Sequence, residues 1–143
     1  MQAPTSKSDN SMNSIFELES NPDAINEVEN IIDTFNQKLK IREDVFGNII
    51  VAVTEAVNNA IYHGNASSEK KKVHLSFDIS HAYKLVVKVR DEGGGFDIDS
   101  LPDPTAPENI GKPGGRGIFL MRHLADDLSF NEEGREAVMT FNI

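Results

Sequence analysis

Apolar positions recur along this chain with two different periods. In NPDAINEVENIIDTFNQKL (21–39), Ile25, Val28, Ile32, Phe35 and Leu39 form one stripe at helical spacing. Asn21 suits the cap, Pro22 the first helical position and Asp23 the positive end of the dipole. A second helix is predicted from Glu43 to His63, with Phe46, Ile49, Ile50, Val53, Val57, Ala60 and Ile61 inward and Gly64–Asn65 closing it. The period then changes to two. VHLSFDI (73–79) alternates Val73, Leu75, Phe77 and Ile79 with His74, Ser76 and Asp78. KLVVKVR (84–90) and EAVMTFNI (136–143) repeat the pattern, and SIFELES (14–20) reads as a short strand. GIFLMRHLADDL (117–128) reads as a further helix. Strands with one polar face, accompanied by amphipathic helices, predict an α/β two-layer sandwich. Its sheet is mixed and mostly antiparallel, with about three helices on one face.

A length of 143 residues fits a single domain with its own core. The stretch MQAPTSKSDNSMN (1–13) has no apolar centre and is expected to be a disordered tail, with the domain running from 14 to 143. No apolar run reaches the length of a membrane span, and there are no cysteines, so disulfides and thiolate metal sites are excluded. These features predict a cytoplasmic protein. The net charge of −9 repels phosphate backbones, so direct nucleic-acid binding is not expected. The same field opposes any polyphosphate ligand unless a divalent metal, backbone amides or a helix N-terminus overcome it locally.

Three stretches depart from simple packing patterns. RDEGGGFD (90–97) places a carboxylate and three glycines directly after a strand. Glycine there lets a backbone or ligand approach closely, although a glycine-rich turn would serve the stretch taken alone. In TEAVNNAIYHGN (54–65), Glu55 and Asn59 stand one helical turn apart, away from the apolar stripe. A carboxylate beside a neutral oxygen donor can orient a hydroxyl and hold a hard cation; a solvated polar face is the plainer reading of the same spacing. DIDSLPDPTAPENIGKPGGR (97–116) is longer than ordinary connections and runs into the third helix, which suits a binding lid or a surface insertion. His63, His74, His81 and His123 are isolated, and no nucleophile elbow or Walker-type loop is present.

Taken in order, EAVNNAIYHGN, VRDEGGGFD and GGRGIFLMRHLAD resemble the asparagine box and two glycine boxes of the GHKL ATPase superfamily. Their wording is most similar to the bacterial anti-sigma-factor serine kinases, from about Ser14 to the C-terminus. The resemblance implies a Bergerat-type ATP-binding fold, ATP and Mg²⁺ as cofactors, and transfer of the γ-phosphate to a protein serine. It implies that Asp91 accepts from the adenine amino group while Gly93 and Gly95 leave room for the base. Asn59 would hold Mg²⁺ and Glu55 would act as general base. Gly115, Gly117 and the helix starting at Ile118 would wrap the triphosphate, with Lys112 or Arg116 adding a cation. The implied partners are an anti-anti-sigma protein of the STAS type and a sigma factor, and the resemblance suggests a homodimer. Two departures stand out: KPGG (112–115) lacks the arginine many such kinases carry before the second glycine box, and GREA (134–137) replaces the usual Gly-Thr. These favour, as an alternative, a nucleotide-dependent partner-switching module without transfer. The lack of further domains points away from gyrase, chaperone and mismatch-repair ATPases.

Overall fold

A computed structural model describes residues 12–80, 83–93, 115–131 and 134–143. The elements are β1 (Met12–Glu19), α1 (Asp23–Leu39), α2 (Glu43–Asn59), β2 (Lys72–Ser80), β3 (Lys84–Arg90), α3 (Gly115–Leu124), β4 (Asp127–Asn131) and β5 (Glu136–Asn142). The five strands form one sheet in the order β1-β2-β3-β5-β4, antiparallel at every pairing. Most of the expected tail (1–13) and of the expected lid (97–116) lies outside the described residues.

Period-two alternation sets which face of the sheet is dry. Val73, Leu75, Phe77 and Ile79 of β2, Leu85, Val87 and Val89 of β3, and Met139 and Phe141 of β5 are all buried. The register aligns them in rows, for example Leu75 with Val89 and Val87 with Met139. Onto this face α1 presents Val28, Ile32 and Phe35, and α2 presents Ile49, Val53 and Val57. Phe77 anchors the contact. Its ring lies 4.9 Å from that of Phe35 and 6.2 Å from that of Phe16, the latter edge-on. The opposite face carries His74, Arg90, Glu17 and Glu136, interspersed with Ile15, Val86 and Val138.

Three local expectations require correction. Asn21 accepts from the Asp23 N–H at 2.9 Å, but Pro22 occupies the cap position rather than the first helical one. The second helix does not end on a left-handed glycine. It widens into one π turn, Ala60–Gly64, closed by the Asn65 N–H to the Ala60 carbonyl at 2.8 Å. Positive φ first appears beyond it, at Ala66 (51°) and Ser67 (59°). The third helix starts at Gly115, not Ile118, and stops at Leu124, so Asp127 and Leu128 belong to β4. Asp126 explains the break. Its N–H donates to the Thr140 carbonyl and its carboxylate accepts from the Asn142 N–H, which draws the chain onto β5.

Together, α2 and its π turn (Glu43–Gly64) are long enough to span a bilayer and reach a mean hydropathy of 1.2. Within this stretch Ile49, Val53, Val57 and Ile61 are buried in the protein core, while Val51 and Tyr62 are exposed.

Candidate functional site

The site begins on α2. Burial of Ala52, Val53, Ala56, Val57 and Ala60 turns Glu55, Asn58 and Asn59 onto a half-buried strip beside the core. Helix α3 packs against α2 along this side. The two helices come close at Gly117, where a Cβ would stand 2.8 Å from Nδ2 of Asn59 and 3.1 Å from its Oδ1. Only glycine admits the Asn59 amide so near the start of α3. Among the described residues, neither the Glu55 nor the Asn59 side chain has a hydrogen-bond partner. The first turn of α3 carries no acid, and Arg122 and His123 lie in its last turn. The free amides of that first turn therefore keep their affinity for an anion.

A second centre lies beyond the π turn, where Gly64 meets the end of β3. Asp91, at the end of β3, is only 8% exposed. Its N–H donates to the Arg135 carbonyl at 2.9 Å, and its Oδ1 accepts from the Gly93 N–H at 2.8 Å. Its carboxylate rests against Gly64, where any Cβ would collide with it, and a Cβ on Gly93 would collide with the Gly64 carbonyl. Gly64 and Gly93 thus interlock, and that close approach explains why both are glycine. Burial pushes the Asp91 carboxyl above the ordinary carboxylate range. The Gly93 N–H and the charges of Arg135, Lys71 and Arg90 oppose the rise.

Glu92 points the other way. It bonds Nε2 of His74 at 2.7 Å and accepts from the Lys72 N–H at 3.1 Å, and the His74 bond foremost holds its carboxyl below the usual range. Its own N–H donates to Oδ1 of Asn65 at 2.7 Å.

Of the residues singled out from the sequence, Glu55, Asn59 and Gly117 gather at one end of this strip and Asp91 and Gly93 at the other. Ile118 is buried in the core, so only its backbone is free for a ligand. Gly115 opens α3; the side chain of Arg116, and all of Gly95 and Lys112, lie outside the described residues. His63 is exposed on the π turn. Gly64 and Asn65 entered the sequence reading only as helix closure. Their grip on Asp91–Gly93 has no local signal, because its partners are almost 30 positions away (|i−j| = 27 for Asn65 and Glu92).

The arrangement pairs a buried acceptor between glycines with a neutral oxygen donor beside a helix N-terminus. The first suits an exocyclic amine and the second an anionic group with its cation. Among the described residues no group of three His, Cys, Asp or Glu stands together to hold a metal. The amide oxygen of Asn59 is a hard donor that fits Mg²⁺ taking its other ligands from phosphate and water.

The family described as the histidine kinase-like ATPase domain matches residues 18–141. The serine-protein kinase RsbW of Listeria innocua is 32% identical over 97 residues, covering 63% of this chain and 61% of that protein. RsbW of Staphylococcus aureus is 34% identical over 100 residues with the same coverages. The chain thus spans less than two thirds of the length of these relatives. The crystal structure of the RsbU and RsbW domains of Rv1364c from Mycobacterium tuberculosis superposes with a TM-score of 0.67 at 16% identity, over 99% of this chain and 33% of that one. At that identity the likeness speaks for the fold.

Proposed function

The chain belongs to the histidine kinase-like ATPase domain family, and from that premise we propose that it is an ATP-dependent serine-protein kinase of the anti-sigma type. In this reading it binds ATP with Mg²⁺ and phosphorylates an anti-anti-sigma partner of the STAS type. In an alternative complex it holds a sigma factor inactive in the cytoplasm, and it acts as a homodimer. The observation that carries the reading is the seat of Asn59 against Gly117, with Glu55 one turn away and no competing hydrogen bond on either side chain among the described residues. Asp91, in its interlocked glycine turn, supports the base end of the same ligand.

Each residue has a distinct task. Asp91 accepts from the adenine amino group, and its burial keeps water from competing. Asn59 supplies an oxygen to the cation, and the α3 amides receive phosphate. Bound Mg²⁺ would neutralise charge on the phosphates, which the acidic surface of this protein otherwise repels. Glu55 accepts the proton of the attacking serine hydroxyl. The serine oxygen bonds to the γ-phosphorus as the bond from that phosphorus to the β–γ bridging oxygen breaks, and ADP leaves.

A second reading, a nucleotide-dependent binding module without transfer, is favoured by KPGG (112–115) and by GREA (134–137), where Arg135 stands in place of the expected hydroxyl residue after glycine. Incubation with labelled ATP and a candidate partner separates the two. The kinase reading expects phosphoserine on the partner and a roughly 10²–10⁴-fold slower transfer by Glu55→Gln with nucleotide affinity nearly intact. The binding-module reading expects no phosphoserine even from the unaltered protein.

A further inference from the structure

We propose that Asn65 is a positioning residue for base selection, a buried amide that sets the direction in which Asp91 presents its carboxylate. The inference rests on the nucleotide reading above and adds a residue to it. Asn65 is 0% exposed, and its side chain reaches three separate parts of the chain. Nδ2 donates to Oγ of Ser20 at 3.0 Å, just past β1, and to the Lys72 carbonyl at 2.9 Å, at the start of β2. Oδ1 accepts from the Glu92 N–H at 2.7 Å, just past β3. Ser20 is itself pinned by donating to the Lys71 carbonyl at 2.6 Å.

A glycine-rich turn after a strand is ordinarily soft, because glycine restricts its own backbone least. Here each of the described amides at its start has its own acceptor: Arg135 for residue 91, Asn65 for 92 and Asp91 for 93. The middle bond is the only one of the three that ties the turn to the end of the second helix. Gly64, adjacent in sequence, walls the Asp91 carboxylate from the same side. Residues 64 and 65 therefore hold the turn together, one by contact and one by hydrogen bond.

The backbone beyond them is consistent with this role. Ala66 and Ser67 both adopt left-handed φ, which L side chains disfavour, and the turn is held by the Ser67 N–H to the Ile61 carbonyl at 2.7 Å and the Ser68 N–H to the Asn65 carbonyl at 3.0 Å. That conformation is what lets the chain leave the π turn while Asn65 stays pointed inward. On the outer side, His74 steadies the Glu92 carboxylate, so Glu92 is held through both backbone and side chain.

The test compares ADP with inosine diphosphate, whose base carries a carbonyl oxygen where adenine carries the amino group. Calorimetric titration of the parent protein should show a preference for ADP. Asn65→Ala should lower that preference by roughly two- to tenfold, the scale of one hydrogen bond, with most of the loss on ADP. Equal weakening of both nucleotides, with the preference unchanged, would mean a merely structural role and would overturn the inference. Should Asn65→Ala not fold, Ser20→Ala removes one anchor and leaves the Glu92 bond. A preference about twofold lower is expected there, and an unchanged one overturns the inference equally. A parent protein that binds neither nucleotide refutes the nucleotide reading instead, whereas one that binds both alike has no base preference for Asn65 to set and overturns the inference.

Discussion

Replacing Asp91 by asparagine probes the base end of the site with little change of shape. The Gly93 N–H, 2.8 Å from Oδ1, fixes an oxygen at that position in either residue. The new amide nitrogen then takes the second position, so a donor meets the adenine amino group where a carboxylate accepted it. Loss of a hydrogen bond to a charged group costs about 1.5–3 kcal/mol, roughly ten- to over a hundredfold in ADP affinity. Stability should respond in the opposite sense. Asp91 has its carboxyl raised in the folded state, chiefly by burial, so the native protein binds that proton more tightly than the unfolded chain. The contribution of Asp91 to stability therefore falls as pH rises from the ordinary carboxylate value to the raised one. A neutral amide carries no such penalty, so the Asp91→Asn protein should be no less stable than the parent at pH 7 and should lack that part of the pH slope. Calorimetry with ADP and urea titrations at several pH values measure both effects. An unchanged ADP affinity in a folded variant would refute the assignment of Asp91 to the base.

Gly64→Ala should displace the Asp91 carboxylate, weaken ADP binding at least as much as Asp91→Asn, and cost about 1–3 kcal/mol in urea denaturation; a variant with parental binding would show the interlock to be dispensable. Gly117→Ala should push the Asn59 amide aside and reduce the Mg²⁺-dependent part of ATP affinity while sparing affinity measured in chelator; equal losses in both conditions would argue against a metal role for Asn59. Phe77→Ala, at a side chain 1% exposed between Phe16 and Phe35, should cost about 3–5 kcal/mol of stability, and a loss below about 1 kcal/mol would mean that the sheet–helix contact is not the main core.

Periodicity alone located α1, α2, β2, β3 and β5, because burial of one face imposes a regular spacing on each element. It carried the third helix through Asp127 and Leu128 and assigned no strand there, because Ala125–Leu128 continues a helical composition while the force that ends the helix comes from β5, through Thr140 and Asn142. Gly93 was visible as a departure from packing, and the box resemblance proposed roles for Gly117, Asp91, Glu55 and Asn59. Their reasons were not visible. Gly93 is small because of Gly64 and Gly117 because of Asn59, and both contacts join segments distant in the chain. Asn65 was the least legible, since Asn after Gly at a helix end reads as an ordinary stop. Its hydrogen bonds to Ser20, Lys72 and Glu92 exist only once β1, β2 and β3 lie side by side, with the π turn packed at their ends. Local spacing determines which face of an element is dry; which polar groups meet across elements is decided by sheet register and helix docking, which no single segment encodes.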